Sequence, residues 1–594
     1  MPEPATNTAS LDRTAARIAI TAVVCGVVLR LWVLSQRGSL WIDEAALALN
    51  VLGRDFAGLL RPLDWGQAAP VGFLWLERAL AGLLGPSEWV FRLWPAVAGA
   101  GTLWLVWRAG RGIVRPMSAA LAVVVLAFSL LAIRYSAEAK PYASDAFVSV
   151  ALVALALRVL DGAADARRWL ALGVAGVGGV LMSLPSVFVL AAIGAALVRD
   201  ASKQRVQIRA IAMACGATWL ATFGALWILV IRESSGGEYL REYWAPVMLD
   251  ARAGDFVARV VRAVASAVAT PIQWTGSVAL ALAMTLTWLV GLAMVARRDW
   301  RHAVLLAGPF GIAAAASLVG VYPLSDRLAY FAAPLALLAA AEPLGAAVGA
   351  LSVRIRRAAP GSIRVAASEA LAWVAALALG AWVGMDSSRI MRAPGLLEPT
   401  HALFADLRVA TRKDGTPVYL FARAIPAWTY ATTDWSAPLD ARFGRFLALA
   451  GSTEAPAHEN LSRARPVRPR EGDTLVYRER TNIELIGLAP GVRYRIAGPT
   501  SRDGPSPGWA AGEAQRIRTA ANPAVWIVAS HFFEGTPRDE LRPLVAALQA
   551  EGLQVVEERR GGRDVVALRF KFAARAADST LPEAGRVKRR DQRP

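Results

Sequence analysis

The chain has 594 residues, 55% of them hydrophobic and only 19% charged, with a formal net charge of +19. A soluble chain of this length would be more polar; here the apolar residues gather into runs of roughly 18 to 23, enough to cross about 30 Å of hydrocarbon as helix. The basic excess sits in short loops between those runs and forms no basic and aromatic stripe, which speaks against nucleic acid and for a polytopic membrane protein.

The first run, about 16–36, follows Arg13 and Arg17 and has the layout of a signal peptide. It is long for that role, and the "SQRGS" after it offers no small-residue cleavage site, so it reads as a retained helix. Next comes "SLWIDEAALALN" (39–50), with the adjacent acids Asp43 and Glu44. The remainder of this long loop, 37–87, holds "PVGFLWLERALAGLLG", too short and interrupted to span and expected to lie along the interface. Further helices are expected near 88–109, 116–134, 141–160, 168–183, 184–199, 207–232, 275–296, 302–321, 327–349 and 364–386, about eleven spans in all.

Charge tests this map. With the N-terminus inside, the inner loops hold Arg108, Arg111 and Arg115; Arg158, Arg167 and Arg168; Arg199, Lys203, Arg205 and Arg209; Arg297, Arg298 and Arg301; and Arg354, Arg356, Arg357 and Arg364. Every second loop is Arg-rich, as the positive-inside rule requires. The outer face then receives 37–87, a short loop at 134–141, a medium one at 233–274, a turn at 322–326, and everything beyond about 387.

Beyond 387 the composition turns soluble. "TPVYLFA" and "NPAVWIVAS" read as buried strands, "RDELRPLVAALQAEG" as a helix and "LQVVEERRGGRDVVALRFKF" as strand–turn–strand, which together predict an extracytoplasmic α/β domain over 387–572. Residues 573–594 have little to bury and read as a disordered tail. The fold class expected is therefore mainly α: a polytopic membrane domain over 1–386 plus this C-terminal α/β domain. Cys25 and Cys215 both fall inside apolar runs and support neither a disulfide framework nor a zinc site.

Four outer-face features carry chemistry: Asp43–Glu44; "RYSAEAKPYASD", with Glu138, Lys140, Tyr142 and Asp145; "VYPLSDRLAYFAAP", with Tyr322, Asp326 and Arg327; and "REYW", with Arg241, Glu242, Tyr243 and Trp244. Interfacial anchoring is the plain alternative for each, since Trp, Tyr, Arg and Lys favour the headgroup zone. It fits Asp43–Glu44 least, because two adjacent acids repel each other and cost free energy near lipid unless partnered. Carboxylates can take a proton from a hydroxyl, and Lys or Arg can hold a phosphate as it leaves. Sugar transfer from a lipid phosphate needs that set.

In this order, "WIDEAALALN", "QAAPVGFLWLERALAGLLGPSEWVFRLWP", "RYSAEAKPYASD" and "YPLSDRLAYFAAP" resemble the GT-C membrane glycosyltransferases. The similarity is greatest to the family 39-like branch of protein mannosyltransferases and the lipid A aminoarabinose transferase, over about residues 10–350. The resemblance implies Asp43 as general base, with Glu44 placing the acceptor or holding the partners of Asp43. It implies Glu138, Lys140 and Tyr142 as substrate-binding, with Lys where Arg is common, and Arg327 as the hold on the donor phosphate. Arg92 fits an Arg-Leu step of the family, with a structural ion pair as the alternative.

The implied partners are a polyprenyl-phosphate sugar donor, an envelope glycan, lipid or protein acceptor, and membrane lipids; the implied place is the bacterial cytoplasmic (inner) membrane. The resemblance fixes no cofactor, since some members of the family coordinate a metal and others do not, and the scattered His302, His401, His458 and His531 sit in no metal-binding motif. A divalent ion held by Asp43 or Glu138 stays open. The rival function is a transporter or flippase of lipid-linked sugars; midplane acids and internal repeats, which would favour it, are not evident in the sequence.

Overall fold

The computed structural model describes residues 5–36, 38–63, 67–232, 244–268, 278–324, 326–358, 363–392, 400–416, 418–421, 424–432, 475–479, 482–486, 493–497, 508–519, 524–530, 541–561 and 565–572. The tail at 573–594 and Arg241, Glu242 and Tyr243 lie outside them. The chain divides into two compact units, one of residues 1–37 and 69–394, the other of 38–68 and 395–594.

In the first unit, α1 (Ala5–Ser35) is followed by α3 (Val71–Leu84), after α2 (Ile42–Gly53) of the second unit. Then come α4 (Glu88–Phe91), α5 (Leu93–Gly110), α6 (Pro116–Phe128), α7 (Leu130–Tyr135), α8 (Tyr142–Asp161), α9 (Ala166–Met182), α10 (Ser186–Ser202) and α11 (Val206–Leu226). The bundle continues with α12 (Phe256–Val268), α13 (Val278–Ala296), α14 (Trp300–Leu318), α15 (Asp326–Ala329), α16 (Ala333–Ala358) and α17 (Ile363–Arg392).

Eight helices among the described residues are long and apolar enough to cross a bilayer. Eleven spans were expected; the other three appear as helices of 13 (α6), 17 (α9) and 17 (α10) residues. The 116–134 run is shortened because it breaks at Ser129, whose backbone turns extended (ψ 123°) while its hydroxyl accepts from the Ala132 N–H to start α7. Pro116 opens α6 at a position where a missing N–H costs nothing. The expected interfacial segment is α3, 14 residues or about 21 Å at 1.5 Å per residue, too short to span.

Close approach of small residues packs the bundle, as lipid-phase helices require. A Cβ at Gly72 of α3 would stand 2.9 Å from the Leu181 carbonyl oxygen of α9, and one at Gly99 of α5 would run into the Ser136 hydroxyl. At the end of the bundle remote from α7, the fully buried Glu342 of α16 takes Nη1 of Arg115, the Arg115 N–H at 3.0 Å and Nη2 of Arg298 at 2.6 Å. Three chain segments are thereby tied together by one carboxylate.

The second unit is α/β. Its sheet runs β2 (Leu475–Glu479), β3 (Asn482–Ile486), β4 (Arg493–Ala497), β1 (Val418–Phe421), β5 (Ala524–Ser530), β7 (Val565–Phe572), β6 (Leu553–Arg560), with β1 parallel to β4 and β5 and the other pairings antiparallel. Helices α18 (Thr400–Asp414), α19 (Ile425–Thr432), α20 (Trp509–Thr519) and α21 (Leu541–Ala550) accompany it. β1 and β5 are buried throughout, so both faces are covered. Val525, Ile527 and Ala529 join Ile517, Leu544 and Leu548 of the helices in the core. The strands and helix read from 416–572 are all present; β2, β3 and β4 were not anticipated.

Candidate active site

The acids of the first loop belong to the second unit, where α2 packs on α19 and the His401 N–H donates to the Ser39 hydroxyl at 3.0 Å. Trp41 precedes α2, which puts Asp43 and Glu44 in its first turn, where the helix dipole favours negative charge. Glu44 is fully buried and accepts the Trp41 N–H at 3.1 Å on Oε2, so it satisfies an orphan donor of its own helix. Glu44 thus caps the start of α2. Asp43 is half-buried at the helix entrance.

In the first unit the second and third sequence features come together. α7 ends at Tyr135, and the chain turns through Glu138 and Lys140 into α8. Glu138 is buried and receives Nε of Arg134 at 2.6 Å, one helical turn back. Lys140 is also buried, with its backbone N–H on the Glu138 carbonyl at 2.7 Å. Tyr142 opens α8, its ring 5.2 Å from that of Tyr135, which in turn stands edge-on to Tyr330 at 4.8 Å. Residues 322–332 are thereby seated on the start of α8.

Arg327 lies in that segment. Its guanidinium sits over the Tyr142 ring at 5.8 Å and over the Trp244 ring at 5.7 Å. Both rings thus lie within about 6 Å of one cation, the range of a cation–π contact. An arginine's planar fork can grip a phosphate with two parallel hydrogen bonds. Trp244, the last residue of "REYW", is thus part of the site. Tyr322 donates from its hydroxyl to the Leu328 carbonyl at 2.9 Å and packs on Phe188 of α10 at 5.0 Å. Burial pushes its phenol well above the ordinary value, so it remains a neutral donor.

Arg92 is buried at the break between α4 and α5, its N–H on the Trp89 carbonyl at 3.3 Å. No group of three or more His, Cys, Asp or Glu among the described residues assembles as metal ligands.

Two residues escaped sequence reading. Arg30, inside the first span, is buried and donates from Nε to the Ser136 hydroxyl at 3.0 Å, from Nη1 to the Gly26 carbonyl at 3.0 Å and from Nη2 to the Leu126 carbonyl at 3.1 Å. It holds both sides of the α6–α7 break, two residues before Glu138. A lone arginine in an apolar run was the available signal. Glu77 of α3 is buried with neither carboxylate oxygen hydrogen-bonded, and desolvation raises its pKa well above the carboxylate range.

Known proteins share this architecture. Residues 68–228 match the family described as dolichyl-phosphate-mannose-protein mannosyltransferase. The structure of ArnT from Cupriavidus metallidurans bound to undecaprenyl phosphate superimposes with a TM-score of 0.51, at 13% identity, over 93% of this chain and 97% of that one. An oligosaccharyltransferase from Archaeoglobus fulgidus gives a TM-score of 0.42 at 13% identity over 70% of this chain and 61% of that one. No curated protein matches by sequence. The expected resemblance is borne out: the chain is a multi-pass membrane protein with the GT-C glycosyltransferase fold.

Proposed function

We propose that this chain, built on the GT-C fold, transfers a sugar from a polyprenyl-phosphate donor to an acceptor hydroxyl at the outer face of the bacterial cytoplasmic membrane, with inversion at the anomeric carbon. The observation that carries the reading is the Arg327 guanidinium over both the Tyr142 and Trp244 rings, with Tyr142 opening α8 just after the buried Glu138 and Lys140. The undecaprenyl phosphate held by ArnT supports it by analogy.

The roles follow from the chemistry. Arg327, with Lys140, holds the phosphodiester of the donor and stabilises the charge that grows on it. Asp43 removes the proton of an acceptor hydroxyl. The hydroxyl oxygen attacks the anomeric carbon opposite the phosphate, the carbon–oxygen bond to phosphate breaks, and its electron pair leaves with the polyprenyl phosphate. That product is already a stable anion, so no general acid is needed. Glu138 keeps Arg134 beside the site. The acceptor is an envelope glycan, lipid or protein.

Comparative mass spectrometry of the envelope tests this. A deletion strain would be profiled for lipid-linked sugars and envelope glycans beside strains restored with wild type or with Asp43→Asn. One accumulating polyprenyl-phosphate sugar and one glycan short of a residue, rescued by wild type alone, is the expected result. Intact glycans, or full rescue by the Asn variant, would sink it, and would favour transport of lipid-linked sugars instead.

A further inference from the structure

One acid near this cluster has no part in the roles just assigned. Asp145 stands three residues after Tyr142 on α8, so the two share a helix face, with Asp145 about 4.5 Å further along the axis. It is 9% exposed, lies inside a candidate span, and its Oδ1 has no hydrogen-bond partner. An ionisable group buried in the first turn of a membrane helix is expensive to keep unless it has work to do there.

Its surroundings are polar in a particular way. The fully buried Ser183, in the turn between α9 and α10, lies within hydrogen-bonding reach of the Asp145 carboxyl, and its hydroxyl has no other hydrogen-bond partner. The Tyr322 phenol is near enough to Asp145 and to the Tyr142 phenol to interact electrostatically with both. The opposite neighbour of the Tyr142 ring is the Arg327 guanidinium, at 5.8 Å. Arg327 thus contacts the Tyr142 ring, and Tyr142 shares a helix face with the buried Asp145 beside Ser183.

Buried polar groups left unpaired cost stability, and sites that bind hydroxyl-bearing ligands bear that cost in the empty state. A carboxylate and an alcohol side by side offer acceptors and a donor, the set that a sugar's neighbouring hydroxyls require. We infer that Asp145 and Ser183 form the subsite for the sugar of the lipid-linked donor, hydrogen-bonding its ring hydroxyls next to the phosphate on Arg327. This rests on the donor reading above. It makes the pair a determinant of which sugar is accepted, with no bond made or broken by either residue.

The test separates the two ideas. Purified full-length protein in lipid nanodiscs would be incubated with the lipid extract of the source organism's membranes, without acceptor. Bound polyprenyl phosphates, bare and sugar-bearing, would then be counted by mass spectrometry. Wild type should enrich a sugar-bearing form over its share in the extract. Asp145→Asn and Ser183→Ala should each cut that enrichment, about tenfold for the former, while retaining bare polyprenyl phosphate as wild type does; this retained binding also controls for folding. Arg327→Ala should lose both forms. Undiminished enrichment in both variants, or a wild type indifferent to the sugar, overturns the subsite but spares the donor reading. A wild type that retains no polyprenyl phosphate overturns both.

Discussion

The Arg30 guanidinium, from within the first membrane helix, donates to the Ser136 hydroxyl at 3.0 Å, two residues before Glu138. Its other donors reach Gly26 of its own helix and Leu126 of α6. The break at Ser129 leaves α7 without a continuous helix to orient it, and this arginine supplies the brace.

Arg30→Met should therefore cost stability, about 1.5–3 kcal/mol for charge-assisted hydrogen bonds lost in the interior, and should lower turnover more than donor affinity. Gly99→Ala, whose Cβ would strike Ser136 and crowd Arg30, should act through the same contact. In thermal unfolding of detergent-solubilised protein the two effects should be less than additive. Additive losses would mean that Arg30 and Gly99 act separately.

Arg327 should tolerate no conservative exchange. Arg327→Lys keeps the charge but loses the planar fork and both ring contacts. Trp244→Ala removes one face at a cost of about 0.5–2 kcal/mol. Binding of undecaprenyl phosphate, followed by native mass spectrometry, should weaken in the order Trp244→Ala, then Arg327→Lys, then Arg327→Ala. Wild-type affinity in the lysine variant would show that charge alone suffices.

The two acids of α2 should separate. Asp43→Asn should abolish transfer with the unfolding temperature unchanged. Glu44→Ala should release the Trp41 N–H and cost about 0.5–2 kcal/mol, and Glu44→Gln, which keeps an acceptor, should restore most of that. If Glu44→Gln proved as inactive as Asp43→Asn at full stability, the capping role would not be the whole account of Glu44.

Glu77 predicts a pH dependence. Its folded-state pKa lies above that of the unfolded chain, so the native state holds this proton more tightly. Its contribution to stability is complete below the ordinary carboxylate range and is lost as pH rises through that range towards the raised value. As pH rises through and above the ordinary carboxylate range, the unfolding temperature of wild type should fall relative to Glu77→Gln, in which nothing titrates at this site. Parallel curves would refute the assignment.

Spans were legible because hydrocarbon sets a length and a polarity that single runs must meet, and 142–161 and 278–296 were read within about three residues. The strands at 418–421 and 524–530 were legible as short apolar runs between turn residues. What escaped depended on residues far apart in the chain. Nothing local in "LAFSLLAIRY" marks Ser129 as a break, since its hydroxyl merely found the Ala132 N–H. The site residues were nominated from four separate stretches, but that Tyr142 and Trp244 would flank Arg327 is a fact of packing. β2 to β4 are short and partly charged, and they are set by pairing, β4 on β1 and then β3 and β2 in turn, rather than by an apolar signal.

The hydrogen bond from His401 to Ser39 joins residues 362 positions apart within one compact unit. The segment with Asp43 is made early, yet the sheet and helices it packs with are made last. At roughly 5–20 residues per second of synthesis, about 20 to 70 s separate the two. Through that interval the buried face of α2, from Ala45 to Leu52, must wait uncovered while the spans between are inserted. A chain truncated before residue 400 would keep its membrane helices and still leave this face, and the acid next to it, without the surface that holds it in place.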